Sequence, residues 1–192
     1  GYSFEAAGRT FMRQDPDVIL LGEIRDEETA TIALRASITG HLVLSTLHTN
    51  DAVSTIPRLV NFNVDRFLLS SALLAVIGQR LVRKICSKCK VEYELKPGEL
   101  EEMGFIGYDD VKTVSKGTGC ADCSGTGYSG RTTVGEIFIV DDHIKELIYT
   151  GASANSMLDA ALKNGMKTMR VNGIQKAISG VTTFEEILRV AG

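Results

Sequence analysis

Every cysteine in this 192-residue sequence falls in one of two Cys-x-x-Cys pairs, Cys86/Cys89 and Cys120/Cys123. Such a turn aims two thiolates at one point, and two turns complete a tetrahedral sulfur shell suited to Zn²⁺. Residues 90–119 separate the pairs, a longer gap than the ~15–20 residues usual in a zinc ribbon. A redox dithiol would need only one pair and a thioredoxin-like setting. Four unrelated free thiols would have no reason to fall into pairs. No secretory signal pattern accompanies them, so a reducing compartment and a structural metal are expected rather than disulfides. With no open ligand position and no neighbouring histidine, catalytic zinc is not expected.

Glu23 closes an apolar run, Val18-Ile19-Leu20-Leu21. Nucleotide hydrolases present a carboxylate to Mg²⁺ and the attacking water from such a strand end. Alone, the pattern favours the plainer reading, an acid placed where a strand meets solvent. His48 ends a second run, in Ser45-Thr46-Leu47-His48-Thr49-Asn50. Its imidazole can donate a hydrogen bond to a phosphate, or simply satisfy a nearby backbone group. His41 follows a helix-ending glycine and reads as structural, and His143 opens a solvated helix. Arg9, Arg13, Arg25, Arg35 and Arg58 cluster early in the chain. Arg9 and Arg13 share a helix face, and guanidinium groups suit phosphate or an interface carboxylate. Ordinary ion pairing, for instance of Arg25 with Glu28 or Asp26, explains them as well. Arg189, in the tail, reads as an ordinary surface arginine. No G-x-x-x-x-G-K-[ST] loop and no serine or cysteine nucleophile motif occurs in the chain.

The elements that must position these groups alternate in type. A helix over residues 4–13 stops before the breaker Asp15-Pro16-Asp17. A strand at 18–21, a helix at 27–39 ended by Gly40, and a strand at 42–47 follow. A helix then opens near Asn50 or Asp51, either one a good N-cap. Strand, helix, strand, helix predicts an α/β fold with a parallel sheet. Residues 67–79 read as an apolar buried helix and 81–85 as a short strand. Residues 86–125 turn polar and glycine-bearing, a small inserted module held by metal, with the glycines of 119–127 belonging to its knuckle. Residues 134–140 read as a strand, and 141–190 as three or four short helices broken at Gly151, Gly165 and Gly180. The expected domains are therefore 1–85, 86–125 and 126–192.

Composition agrees with a folded globular chain: 44% hydrophobic, 23% charged, net charge −3 and isoelectric point near 5.7. The acidic balance and the lack of an aromatic-basic face count against nucleic-acid binding. The longest apolar stretch is too short for a bilayer, which needs ~20 residues. The opening on Gly1, inside a helical pattern, suggests an internal start.

Together these segments resemble the secretion-superfamily ATPases of type II secretion and type IV pilus assembly. Arg13-Gln14-Asp15-Pro16-Asp17-Val18-Ile19-Leu20-Leu21-Gly22-Glu23-Ile24-Arg25-Asp26 looks like that family's variant Walker B box. Thr39-Gly40-His41-Leu42-Val43-Leu44-Ser45-Thr46-Leu47-His48-Thr49-Asn50 looks like its histidine box. Gln79-Arg80-Leu81, the cysteine pairs and Gly127-Tyr128-Ser129-Gly130-Arg131-Thr132 complete the match. The resemblance covers essentially the whole chain.

It implies a RecA-like (P-loop NTPase) core with a zinc-bound four-cysteine module and a C-terminal helical subdomain, assembled as a homohexamer. Glu23 would sit beside Mg²⁺ and polarise the attacking water, and His48 would sense the γ-phosphate of ATP. Arg9, Arg13, Arg25 and Arg58 match arginines of the family's subunit interface, and Arg131 one near the nucleotide. The four cysteines match zinc ligands. The implied partner is an inner-membrane platform protein, and the implied location the cytoplasmic face of that membrane. Asn63 stands where relatives place a glycine, and asparagine tolerates the left-handed conformation. The family's phosphate-binding loop lies upstream of these motifs, so this chain alone is not expected to hydrolyse ATP. Retraction-type pilus ATPases lack the cysteines, which points to assembly or secretion. Cys120-Ala121-Asp122-Cys123-Ser124-Gly125-Thr126-Gly127 also fits the repeat of zinc-bearing co-chaperones, a motor-free alternative, but only one pair fits.

Overall fold

A computed structural model describes residue 10 and residues 14–192. The expected helix over 4–13, with Arg9 and Arg13, lies outside the described residues. The chain divides into two compact units, one of residues 1–78 with 137–166 and one of 79–136 with 167–192.

The first unit opens with β1 (Val18–Leu20), α1 (Glu27–Ile38) and β2 (Leu42–Leu44). The strands pair in parallel, with Val18, Ile19 and Leu20 opposite Leu42, Val43 and Leu44. Asp26 starts the crossover helix by accepting the Thr29 N–H at 2.8 Å, the ordinary N-cap bond. Ala30, Ala33 and Leu34 bury the helix's apolar face. Gly40 leaves the helix at φ +103°, and His41 Nδ1 donates to the Ala36 carbonyl at 2.9 Å. The expected full burial of the strands is not met, since Val18 is 53% and Leu20 75% exposed. Among the described residues β1 and β2 form a two-stranded pair, which leaves alternate side chains uncovered.

The next helix, α2 (Thr55–Asn61), starts later than expected. Asp51 caps the turn before it instead, accepting the Ser54 N–H and hydroxyl, each at 2.7 Å. Asn63 then turns the chain at φ +58°, as expected of asparagine. The apolar run after it is not one helix. α3 (Arg66–Ala72) ends where Leu73 takes extended dihedrals, and an 11-residue strand, β3 (Ala75–Ile85), follows. A continuous apolar stretch lacks the periodicity that separates buried helix from strand. Here the β-branched pair Val76-Ile77 favours the extended chain, and Gly78 disfavours continuing the helix. α5 (Asp142–Thr150) and α6 (Ala154–Lys163) close this unit around buried Leu69, Phe138, Ile144 and Ile148.

The second unit holds most of β3 and of its neighbour β6 (Tyr128–Ile139), with α7 (Met169–Ile178) and α8 (Phe184–Ala191). Between β3 and β6 lie β4 (Lys90–Glu94), the single turn α4 (Glu99–Glu102) and β5 (Thr113–Gly117). β4 and β5 pair antiparallel, with Lys90 opposite Gly117 and Glu94 opposite Thr113. The core gathers Val82, Phe105, Val134, Ile174 and Ile187, and Phe105 meets Phe184 edge to face at 5.1 Å. Gly151, Gly165 and Gly180 all turn at positive φ between the C-terminal helices, as their spacing predicts. No helix among the described residues is long and apolar enough to cross a membrane.

Candidate active site and metal centre

Beyond their paired residues, β1 and β2 stay tied. Leu21 N–H donates to the Leu44 carbonyl at 2.8 Å and Ile24 N–H to the Thr46 carbonyl at 2.9 Å. The Thr46 hydroxyl donates to the Gly22 carbonyl at 2.7 Å. These bonds bring Glu23 and His48, 25 residues apart in the sequence, to one place.

Glu23 Oε1 lies 2.6 Å from the Arg25 guanidinium. That hydrogen bond is the main reason its carboxyl sits below the usual carboxylate range, against a smaller opposing effect of burial. The group is therefore ionised at neutral pH. Glu23 Oε2 faces His48 Nε2 at 3.4 Å. That oxygen is shielded from solvent yet accepts no well-formed hydrogen bond. A shielded carboxylate oxygen with only one long contact is costly, and its charge fits a site that takes a cation or a water. Arg25 is thus paired with Glu23, not with Glu28 or Asp26. Arg58 stacks over the Phe62 ring at 4.6 Å. Arg131 is exposed on β6 in the other unit.

In the second unit all four cysteines are free thiols, and their sulfurs lie within 4.8 Å of one another. Cys86 is 3.9 Å from Cys120, Cys89 3.9 Å from Cys123, and Cys120 3.7 Å from Cys123, sulfur to sulfur. A tetrahedral shell with metal–sulfur bonds of about 2.3 Å has edges of about 3.8 Å, so the cluster fits one four-coordinate ion. A disulfide needs about 2.05 Å. Backbone N–H groups point at the sulfurs: Gly119 at Cys89 (3.3 Å), Cys120 at Cys123 (3.2 Å) and Gly127 at Cys123 (3.3 Å). Burial opposes ionisation of Cys123, but the Cys120 and Gly127 N–H bonds outweigh it and hold the thiol below its ordinary range. The knuckle needs its glycines: Gly119 has φ +90°, and a Cβ there would sit 2.7 Å from the Gly125 carbonyl oxygen.

One group escaped the sequence. Glu186 on α8 is buried, and its two oxygens accept the Arg83 N–H (2.9 Å), Arg83 Nε and Nη2 (3.0 and 2.7 Å), and Arg189 Nε and Nη2 (2.9 and 2.6 Å). Burial alone would push the carboxyl up, but the Arg189 and Arg83 bonds bring it to about 2. Arg189 is therefore not an ordinary surface arginine. Its i,i+3 spacing from Glu186 is a readable signal. Arg83, 103 residues away, left none.

The type II/IV secretion system protein family model matches residues 1–189. The chain is 48% identical over 189 residues to the type IV pilus assembly ATPase PilB of Thermus thermophilus, covering 98% of this chain and 21% of that protein. It is 48% identical over 188 residues to the type II secretion system protein HxcR of Pseudomonas aeruginosa, covering 98% and 36%. The chain thus spans about a fifth to a third of these relatives. Among solved structures it resembles the pilus retraction motor PilT with bound ADP, at TM-score 0.66 and 31% identity, over 98% of this chain and 43% of that one. The ATPase DotB of Legionella pneumophila shares the fold at TM-score 0.66 and 20% identity, over 98% and 42%. The chain belongs to the type II/IV secretion system protein family, and its fold is that of the secretion ATPases.

Proposed function

We propose that this member of the secretion-ATPase family is part of an ATP-hydrolysing motor that assembles pilin-like subunits, in type II secretion or type IV pilus extension. The observation that carries the reading is Glu23: an ionised strand-end carboxylate with one shielded oxygen that makes no well-formed hydrogen bond, held 3.4 Å from His48 by the β1–β2 tie. When bound, Mg²⁺–ATP supplies the electrophilic phosphorus and the cation that draws charge off it. Glu23 orients the attacking water through Oε2 and holds its negative charge while doing so. His48 offers Nε2 as a donor to the terminal phosphate. Arg9, Arg13, Arg25, Arg58 and Arg131 are candidates for the subunit interface of a homohexamer, with guanidinium groups meeting the charge of a neighbour's phosphate.

Cys86, Cys89, Cys120 and Cys123 hold one structural Zn²⁺. The motor works at the cytoplasmic face of the inner membrane against a platform protein. The 192 residues contain no phosphate-binding loop, so the chain alone turns over no ATP. The test is Glu23→Gln in the full-length protein: nucleotide still binds, and hydrolysis falls ~10²–10⁴-fold. Hydrolysis at the wild-type rate would reduce Glu23 to a strand-end acid.

A further inference from the structure

Glu23 is bracketed by a single residue of the neighbouring segment. Thr46 accepts the Ile24 N–H at 2.9 Å through its carbonyl. It donates its hydroxyl to the Gly22 carbonyl at 2.7 Å. The backbone on both sides of Glu23 is thus pinned to Thr46, which stands two residues before His48. The tie lies past the last paired residues, Leu20 and Leu44, and past the Leu21–Leu44 bond. One of the two bonds is a side-chain bond, so it can be removed without touching the backbone.

We infer that Thr46 is a positioning residue for hydrolysis: its hydroxyl fixes the Gly22–Glu23 peptide, and through it the reach of the Glu23 carboxylate toward the water it orients. This rests on the reading of Glu23 given above. The hydroxyl is exposed and adds nothing to the buried core. Its removal therefore costs geometry more than stability, and a misplacement on the order of 1 Å at a reacting group can cost ~10²-fold in rate.

The test uses the full-length protein with Thr46→Val, Thr46→Ser and Glu23→Gln in parallel. Valine keeps the shape and removes the donor; serine keeps the donor. Thr46→Val is expected to lower kcat about 10-fold to 10²-fold, with KM for ATP unchanged and the melting temperature within about 2 °C of wild type. Thr46→Ser recovers most of the turnover. Without nucleotide, amide hydrogen exchange over residues 21–25 speeds up in the valine variant and not in the serine variant. Wild-type turnover and exchange for Thr46→Val, beside an inactive Glu23→Gln, would overturn this inference alone. So would equal loss in the valine and serine variants. An active Glu23→Gln would overturn the reading of the site itself.

Discussion

Two carboxylates show how differently the two units use charge. Glu186 has its oxygens covered by five donors from Arg83 and Arg189. Glu23 has one oxygen on Arg25 and the other shielded, with His48 Nε2 3.4 Å away as its one neighbouring polar group among the described residues. A buried carboxylate that is fully bonded locks structure in place, because nothing further can be gained by moving it. A carboxylate left short of partners keeps an unmet demand that a ligand can satisfy. The cysteine cluster stands with Glu186: four thiols converge on one point with backbone N–H groups behind them. The second unit closes its polar groups on one another, and the β1–β2 end of the first leaves a carboxylate oxygen with one long contact.

The sharpest way to break this contrast is at the cysteine cluster. Metal analysis is expected to find one zinc per chain, and strong chelation to unfold residues 86–125 while β1, α1 and β2 stay folded. Structural zinc sites bind with ~10–16 kcal/mol of apparent free energy at neutral pH, and much of it is folding free energy. Cys120→Ser should act in the same direction. Protein purified without zinc, or carrying a Cys86–Cys89 disulfide, would contradict the assignment.

Next in size is the Glu186 clamp. Replacing Glu186 with Gln leaves two guanidinium groups facing each other and should destabilise the second unit by ~3–5 kcal/mol. Acid should do the same more gradually. The folded carboxyl titrates at about 2, below its ordinary 4.5, so its contribution is complete above about pH 5 and is lost as pH falls toward 2. The shift corresponds to roughly 3 kcal/mol. Thermal melts between pH 6 and 2.5 should show that loss in the wild type and a flatter curve for Glu186→Gln. Parallel curves would remove Glu186 from the account.

The smallest effect expected is at Arg25. Its ion pair with Glu23 is exposed on the arginine side, and such pairs contribute ~0–1 kcal/mol. Arg25→Ala should leave the melting temperature within a few degrees. Its loss should let the Glu23 carboxyl rise toward its ordinary range, since the Arg25 hydrogen bond is what chiefly holds it down. The acid limb of ATPase activity in the full-length protein should then move to higher pH. An unmoved acid limb would show that Arg25 does not set the charge of Glu23.

The open site was more legible in the sequence than the closed clamp. The β1–α1–β2 order could be read from apolar runs, the Asp26 cap and Gly40, all of them local signals. The four cysteines announced themselves by spacing, and the tail helices by their glycine breaks. The end of β3 was read at 81–85, but its start was hidden because Leu68–Val76 is apolar apart from Ser70 and Ser71 and carries no clear period. β4 and β5 were hidden because their pairing is set by partners 19 to 27 residues away. That Glu23 and His48 face each other follows from the parallel register, which no local pattern specifies. The Arg83–Glu186 pair depends on tertiary packing alone.

The contrast between the carboxylates can be tested in one crossed experiment on the full-length protein. Glu23→Gln and Glu186→Gln are compared for ATP turnover per folded chain and for melting temperature. The account predicts that Glu23→Gln loses ~10²–10⁴-fold in turnover and melts within a few degrees of wild type. Glu186→Gln should melt lower by roughly 10 °C and keep its turnover at temperatures where it remains folded. Turnover unaffected at Glu23, or lost in the folded Glu186 variant, would contradict it.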